Sequence, residues 1–387
     1  MKKLLFVMPA LGGGGAEKSL VNLLNEIPSD KYEIDLLLFK KVGMFIRQVP
    51  SNVNILDQTP ALKGVYAPFS KSGIYLPIKI FGNVCSRIFE SGMSAQKAFL
   101  WKFFYSKVVE KLDKEYDVAI GYLGGESTDY ILDKVKAKKR IHWVHNDYRK
   151  LGMSKKYDVI VFDKVDAIVT ISDECLGILK EEFPQYAQKC FCIANITSSK
   201  VIRAHAESFY PEEYQGISNI LLSVGRLSEQ KGFDLAISAA HIMKENALRF
   251  KWFIIGSGAL KHKLEEQIRR EGVEDYICLL GPRENPYPYI KNCDIFVQTS
   301  RFEGKSVVLD EAKILAKPIV ATAYPTVKDQ IQSEKEGLIT ELSPQEIAHC
   351  LRHLLEDQSM RDAIKSYLSS HEYGNCDELQ KYVSLFG

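Results

Sequence analysis

Twelve short apolar runs, alternating with amphipathic stretches along the whole chain, limit what this sequence can fold into more than any other feature. In the first half they are LLFVM (4–8), YEIDLLLF (32–39), VNIL (53–56), DVAIGYL (117–123), RIHWVH (140–145) and AIVTIS (167–172). In the second they are ILLSVGR (220–226), FKWFIIG (250–256), YICLLG (276–281), DIFVQTS (294–300), PIVAT (318–322) and GLIT (337–340). A half-exposed strand would alternate apolar with polar residues, whereas runs apolar at successive positions are buried on both faces. Helical patterns such as AEKSLVNLLNEI, DLAISAAHIMKEN and LKHKLEEQIRREG stand between them. The combination predicts an α/β chain with doubly wound, Rossmann-like parallel sheets. Its 387 residues exceed what one core serves, so two such domains are expected, facing each other across a cleft. The expected bounds are 1–195 and 219–365, with the polar segment 196–218 as linker and a helical tail, 366–387, that is a candidate to cross back to the first domain. Ligands of such sheets bind outside the carboxyl ends of the strands.

Charge separates the halves. Residues 1–200 carry 29 Lys/Arg against 22 Asp/Glu, and residues 201–387 carry 22 against 27. This argues against nucleic-acid binding by the chain as a whole and suits a first half that meets an anionic partner or membrane surface. The opening MKKLLFVMPA has the lysines and apolar run of a signal peptide, but Pro9 and the glycines after it favour a buried first strand. No run of about 18 apolar residues occurs to span a membrane. The cysteines at 85, 175, 190, 192, 278, 293, 350 and 376 sit mostly in apolar runs and read as reduced thiols of a cytoplasmic protein. Cys190 and Cys192 lack a second pair at zinc-site spacing, and no metal is expected.

The loop after the first run, LGGGGAEKS (11–19), nearly matches two nucleotide motifs. Gly12, Lys18 and Ser19 fall on the P-loop register, and Gly12 and Gly14 on the dinucleotide register, but both patterns require glycine where Glu17 stands. What remains is a glycine turn leading into a helix N-terminus.

Three stretches of the second half also stand where strands end. VGRLSEQKGF (224–233) places Arg226 and Lys231 five residues apart in one loop, where they can grip a diphosphate or form a solvated turn. IIGSG (254–258) is a glycine turn at Gly256. SRFEGKSVVLDEAKILAKPIV (300–320) is the most specific stretch: Glu303 lies in the loop after DIFVQTS, Glu311 lies about one turn into the next helix, and the N–H groups from Ser306 to Val308 are expected to be open to an anion. Carboxylates there suit sugar hydroxyls better than phosphate, while the plainer alternatives are a capping Glu303 and a solvated Glu311.

In their order, GR-x4-KG, GSG, SRFEG and the E-x7-E spacing resemble the donor domain of retaining GT-B glycosyltransferases of family 4, as found in bacterial surface-polysaccharide assembly. GGGGAE at the front and WVHND (143–147) extend the likeness through nearly the whole chain. The resemblance implies a transferase that moves a sugar from a nucleoside-diphosphate sugar, with UDP as the expected nucleotide, to a glycan or lipid-linked acceptor. It implies that Arg226 and Lys231 hold the diphosphate, with Gly256, Ser306 and Val307 also at the donor. Glu303 and His145 would face the transferred sugar, Glu311 would take the ribose hydroxyls, and Gly14 and Gly15 would approach the sugar-phosphate. Lys305-Ser306 departs from the usual residues after the EG pair, and Lys305 would add a phosphate contact. The two cations and the helix N-terminus would do the work other enzymes assign to a metal, so no cofactor is expected, and no Asp-x-Asp motif occurs. A related epimerase, or a silent protein that only binds sugar nucleotides, would carry the same cleft.

His142 and His145, three apart on one strand, point to opposite faces and would chelate poorly; His142 reads as a packed residue and His145 as the one in the cleft. Within 71–112, Leu100, Phe104 and Val108 make a core-facing stripe, whereas 71–90 mixes cations with large apolar residues. That second stretch is the expected peripheral contact with an anionic membrane at the inner face, through Lys79 and Arg87.

Overall fold

The computed structural model describes residues 1–12, 14–145, 147–149, 152–303 and 306–387. The chain divides into two compact units, Met1–Ile196 with Cys376–Gly387, and Thr197–Asn375.

The first unit is built on seven parallel strands: β1 (Lys2–Met8), β2 (Tyr32–Leu38), β3 (Val53–Ile55), β4 (Glu115–Gly121), β5 (Lys136–Val144), β6 (Ala167–Thr170) and β7 (Cys190–Cys192). Their order is β3-β2-β1-β4-β5-β6-β7, so the sequence order reverses between β1 and β4. β1 shows why its apolar run is continuous. Leu4, Phe6 and Met8 pack on one face with Leu20, Leu23 and Leu24, and Leu5 and Val7 pack on the other with Trp101, Tyr130 and Ile131. Each such side chain contributes about 1.5–3 kcal/mol.

The second unit holds six parallel strands: β8 (Ile220–Val224), β9 (Lys251–Ile255), β10 (Ile277–Gly281), β11 (Ile295–Gln298), β12 (Ile319–Thr322) and β13 (Gly337–Thr340). Their order, β10-β9-β8-β11-β12-β13, reverses between β8 and β11. All twelve apolar runs are strands. β7 carried no apolar run of its own, being three residues long, and β5 begins four residues before its run, in the lysine-rich Lys136–Lys139. There the backbone pairs in parallel with Glu115–Val118 of β4 while exposed Lys138 meets Asp117 at 2.7 Å, so the strand start is held by the ladder and leaves no apolar run.

Two boundary expectations are corrected by packing. Segment 196–218 is not an irregular linker: it carries the helix Ser199–Ala206, capped by the Ser198 hydroxyl, and buries Ile202, Ala206 and Tyr214 in the second unit. Its eight residues, half of them polar, are too few to show a helical period in the sequence. The tail is likewise divided. Ile364 and Leu368, on the helix Gln358–Ser369, belong to the core of the second unit, and only the last residues join the first. There the helix Leu379–Phe386 inserts Tyr382, Leu385 and Phe386, with Phe386 edge-on to Phe6 at 6.1 Å.

Candidate functional site

In the second unit the loops that leave β8 and β11 lie side by side at the carboxyl ends of the sheet, where the strand order reverses, the usual ligand position in this architecture. The loop after β8 runs through Gly225 and Arg226 to a short turn, Glu229–Lys231, and to Gly232, whose left-handed φ of 61° starts the helix Phe233–Glu245. The loop after β11 is fastened to it. Arg301 N–H donates to the Gln230 carbonyl at 2.8 Å, the Thr299 hydroxyl donates to the Lys231 carbonyl at 2.9 Å, and the Arg301 fork grips Asp234 at 2.8 and 2.6 Å. Burial pushes the Asp234 carboxyl up, but the Arg301 hydrogen bonds and charge outweigh it and hold the group below its ordinary value.

This fastening brings Lys231 onto Glu303, with Nζ 2.5 Å from Oε1 and the two side chains 18% and 8% exposed. The same Oε1 accepts from the Ser300 hydroxyl at 2.7 Å and Gln298 Nε2 at 3.1 Å, while Oε2 accepts from Gln230 Nε2 at 3.2 Å. Glu303 is therefore no helix cap; it is a carboxylate held by one cation and three neutral donors. Arg226, by contrast, is exposed, and no hydrogen bond or ion pair engages its guanidinium among the described residues.

The next helix runs from Val307 to Ile314 with Ser306 before it. The Ser306 N–H is not open as expected: it donates to Gln330 Oε1 at 2.8 Å, and Gln330 Nε2 returns a bond to the Ser306 carbonyl at 3.1 Å. This paired clamp fixes where the helix starts. It leaves the N–H groups of Val307 and Val308, in the first turn of the helix, as the donors without a partner among the described residues. Glu311 is fully buried rather than solvated, with the Tyr287 hydroxyl 3.4 Å from its Oε1. Lys305 lies outside the described residues. Gly256 has a steric reason of its own: at φ 153° a Cβ there would collide with the Gly225 carbonyl oxygen, so glycine lets the loops after β8 and β9 approach.

In the first unit the glycine loop leaves β1 and enters the helix Gly15–Glu26 with Gly14 at its N-cap. Glu17 occupies the third helical position, where a carboxylate folds back over the cap, and a Cβ at Gly14 would collide with it. The residue that breaks both nucleotide motifs thus covers its own helix N-terminus. At Gly15 nothing lies within 4 Å of such a Cβ.

His142 and His145 separate as expected. His142 is fully buried, with Nδ1 2.9 Å from the Thr128 hydroxyl. His145 follows the end of β5 and stacks in an aromatic cluster, 4.7 Å from Tyr122 and 6.2 Å from Trp143. Burial lowers the His145 pKa to about 4, against the raising effects of the Tyr122 backbone and the Asn195 side chain, and lowers His142 to about 3. Imidazoles of the unfolded chain take protons near 6.5, to about a unit. The neutral rings therefore contribute stability that is present above that pH and is lost as pH falls through it toward 4. The His145 ring-carbon proton should show no NMR titration between pH 8 and 5; a midpoint near 6.5 would contradict this burial.

Sequence reasoning missed Gln298 and Gln330. Gln298 left a signal, a polar residue in an otherwise apolar buried run, whereas Gln330 left none because its partner lies 24 residues away.

The family described as "Glycosyl transferases group 1" matches residues 209–370. The N-acetylgalactosamine-N,N'-diacetylbacillosaminyl-diphospho-undecaprenol 4-alpha-N-acetylgalactosaminyltransferase of Campylobacter jejuni is 27% identical over 95% of this chain and 93% of its own length. The amylovoran biosynthesis glycosyltransferase AmsK of Erwinia amylovora is 32% identical over 37% of this chain and 36% of its own. Among solved structures, a S. aureus TarM mutant in complex with Fondaparinux, alpha-GlcNAc-glycerol and UDP superposes with a TM-score of 0.67 at 14% identity, covering all of both chains. Anabaena HepE in complex with UDP-glucose gives 0.65 at 16%, covering 99% of this chain and 98% of its own.

Proposed function

Because the chain is a GT-B glycosyltransferase whose second unit carries the group 1 domain, we propose that it transfers a sugar, with retention at the anomeric carbon, from a UDP-linked donor to a glycan or lipid-linked acceptor of bacterial surface polysaccharide. The relatives and neighbours named above support the donor and acceptor classes. The observation that carries the site is the Lys231–Glu303 pair beside exposed Arg226 at the ends of β8 and β11.

In this reading Arg226, Lys231 and the N–H groups of Val307 and Val308 take the negative charge that develops on the diphosphate as the sugar–phosphate bond breaks. The acceptor oxygen forms the new bond at the same carbon, and its proton leaves with the departing phosphate. Glu303 orients sugar hydroxyls rather than attacking, since Lys231, Ser300 and Gln298 occupy its Oε1. Gly14, Gly15 and a neutral His145 contact the transferred sugar, and Glu311 and Lys305 serve the ribose and the phosphate. The enzyme acts in the cytoplasm.

Calorimetry with a panel of nucleoside diphosphates tests the donor site: UDP should bind, and Arg226→Ala combined with Lys231→Ala should abolish binding. Retained binding in that double variant defeats the assignment. Release of UDP only when acceptor membranes are supplied distinguishes transfer from epimerisation. Since protein cations carry the charge, activity should persist in EDTA; loss restored by a divalent ion would show that a metal does this work.

A further inference from the structure

We propose that the helix Leu76–Phe89 docks the chain on an anionic lipid surface, lying in the headgroup plane with its outward apolar face in the acyl boundary. This rests on the first unit alone and does not depend on the transfer reaction. The helix is inverted relative to an ordinary surface helix: its buried residues are Lys79, Gly82 and Ser86. Lys79 is turned inward, where its ammonium donates to the Ala67 carbonyl and to the Ser72 hydroxyl. It is therefore not the headgroup contact expected from the sequence. Gly82 permits close packing, since a Cβ there would press on Leu100 and Phe104.

The outward face carries Ile80, Phe81, Val84, Ile88 and Phe89, each at least half exposed, with Phe81 64% and Ile88 69% exposed. Met93 and Phe103 extend this apolar surface, Phe89 stacking on Phe99 and Phe99 meeting Phe103. Exposed apolar surface concentrated on one helix face marks an interaction site rather than ordinary surface scatter.

Charge selects the occupant. Residues 60–109 contain seven Lys/Arg and a single acidic residue, Glu90. Glu90 is neutralised by Lys156 at 2.7 Å, while Lys71, Arg87, Lys97 and Lys102 are exposed. A rim of cations around an apolar face matches an anionic leaflet, whereas a second copy of the same face would bring like charges together. No helix among the described residues is long and apolar enough to cross a membrane, so the contact is interfacial.

Sedimentation of the full chain with vesicles of phosphatidylcholine, with or without phosphatidylglycerol, tests this. The chain should bind the anionic vesicles and bind less as salt rises. A variant combining Ile80→Ser, Phe81→Ser, Ile88→Ser and Phe89→Ser should lose about tenfold or more in partitioning with its melting temperature kept, because these side chains are exposed. Lys71→Glu with Arg87→Glu should weaken binding to anionic vesicles only. Wild-type chain that fails to bind, or a serine variant that binds as well as wild type, overturns the proposal. So does light scattering that shows a wild-type dimer and a monomeric serine variant, with neither on vesicles, since a second copy would then cover the face.

Discussion

Lys231→Ala is expected to lower kcat/KM by about 10²–10³-fold, the range for removing one preorganised group that stabilises transition-state charge. The measurement is release of nucleoside diphosphate from the donor that supports turnover. The substitution also strips the cation from Glu303, whose side chain is only 8% exposed. Ser300, Gln298 and Gln230 remain as neutral donors, so the cost in stability should be moderate, about 1–3 kcal/mol. Adding Glu303→Gln removes the unpaired charge. The double variant should therefore regain most of the stability while turnover stays low. If turnover returns together with stability, Lys231 serves only to hold the two loops, and the diphosphate must be bound elsewhere.

Gly15→Val is expected to reduce turnover about 100-fold, the scale of a misplaced reacting group, while leaving the melting temperature unchanged or slightly raised. The protein leaves this position open, so stability gives no reason for a glycine there. The proposed function supplies a reason of another kind, close approach of the backbone to the transferred sugar. Gly14 is the poorer test, because a side chain there would displace Glu17 from the helix cap whether or not a ligand binds. Wild-type turnover in Gly15→Val would remove the loop from the sugar's surroundings.

The strands were legible because burial on both faces writes itself into successive residues, as Leu4–Met8 and Ile295–Val297 show. The first residues of β5 were not, because exposed lysines paired with acidic neighbours leave no apolar trace. In the site, Arg226, Lys231, Glu303 and Ser306 were legible as residues following strand ends, since a parallel sheet places such loops together. Their partners were not. That Arg226 stays unengaged among the described residues while Lys231 is drawn onto Glu303 depends on a contact across 72 positions, and the use of the Ser306 N–H depends on Gln330.

The sequence by itself determined two doubly wound sheets and the loops that follow their strand ends, because apolar burial and strand-end position are local properties. Tertiary structure decided which of those groups are already spoken for and which way the helix Leu76–Phe89 faces. An amphipathic period defines two faces without saying which lies inside. Here Gly82 and Ser86 permit close packing and Lys79 finds two acceptors beneath it, so the smaller, more polar face turns in and Ile80, Phe81, Val84 and Ile88 turn out.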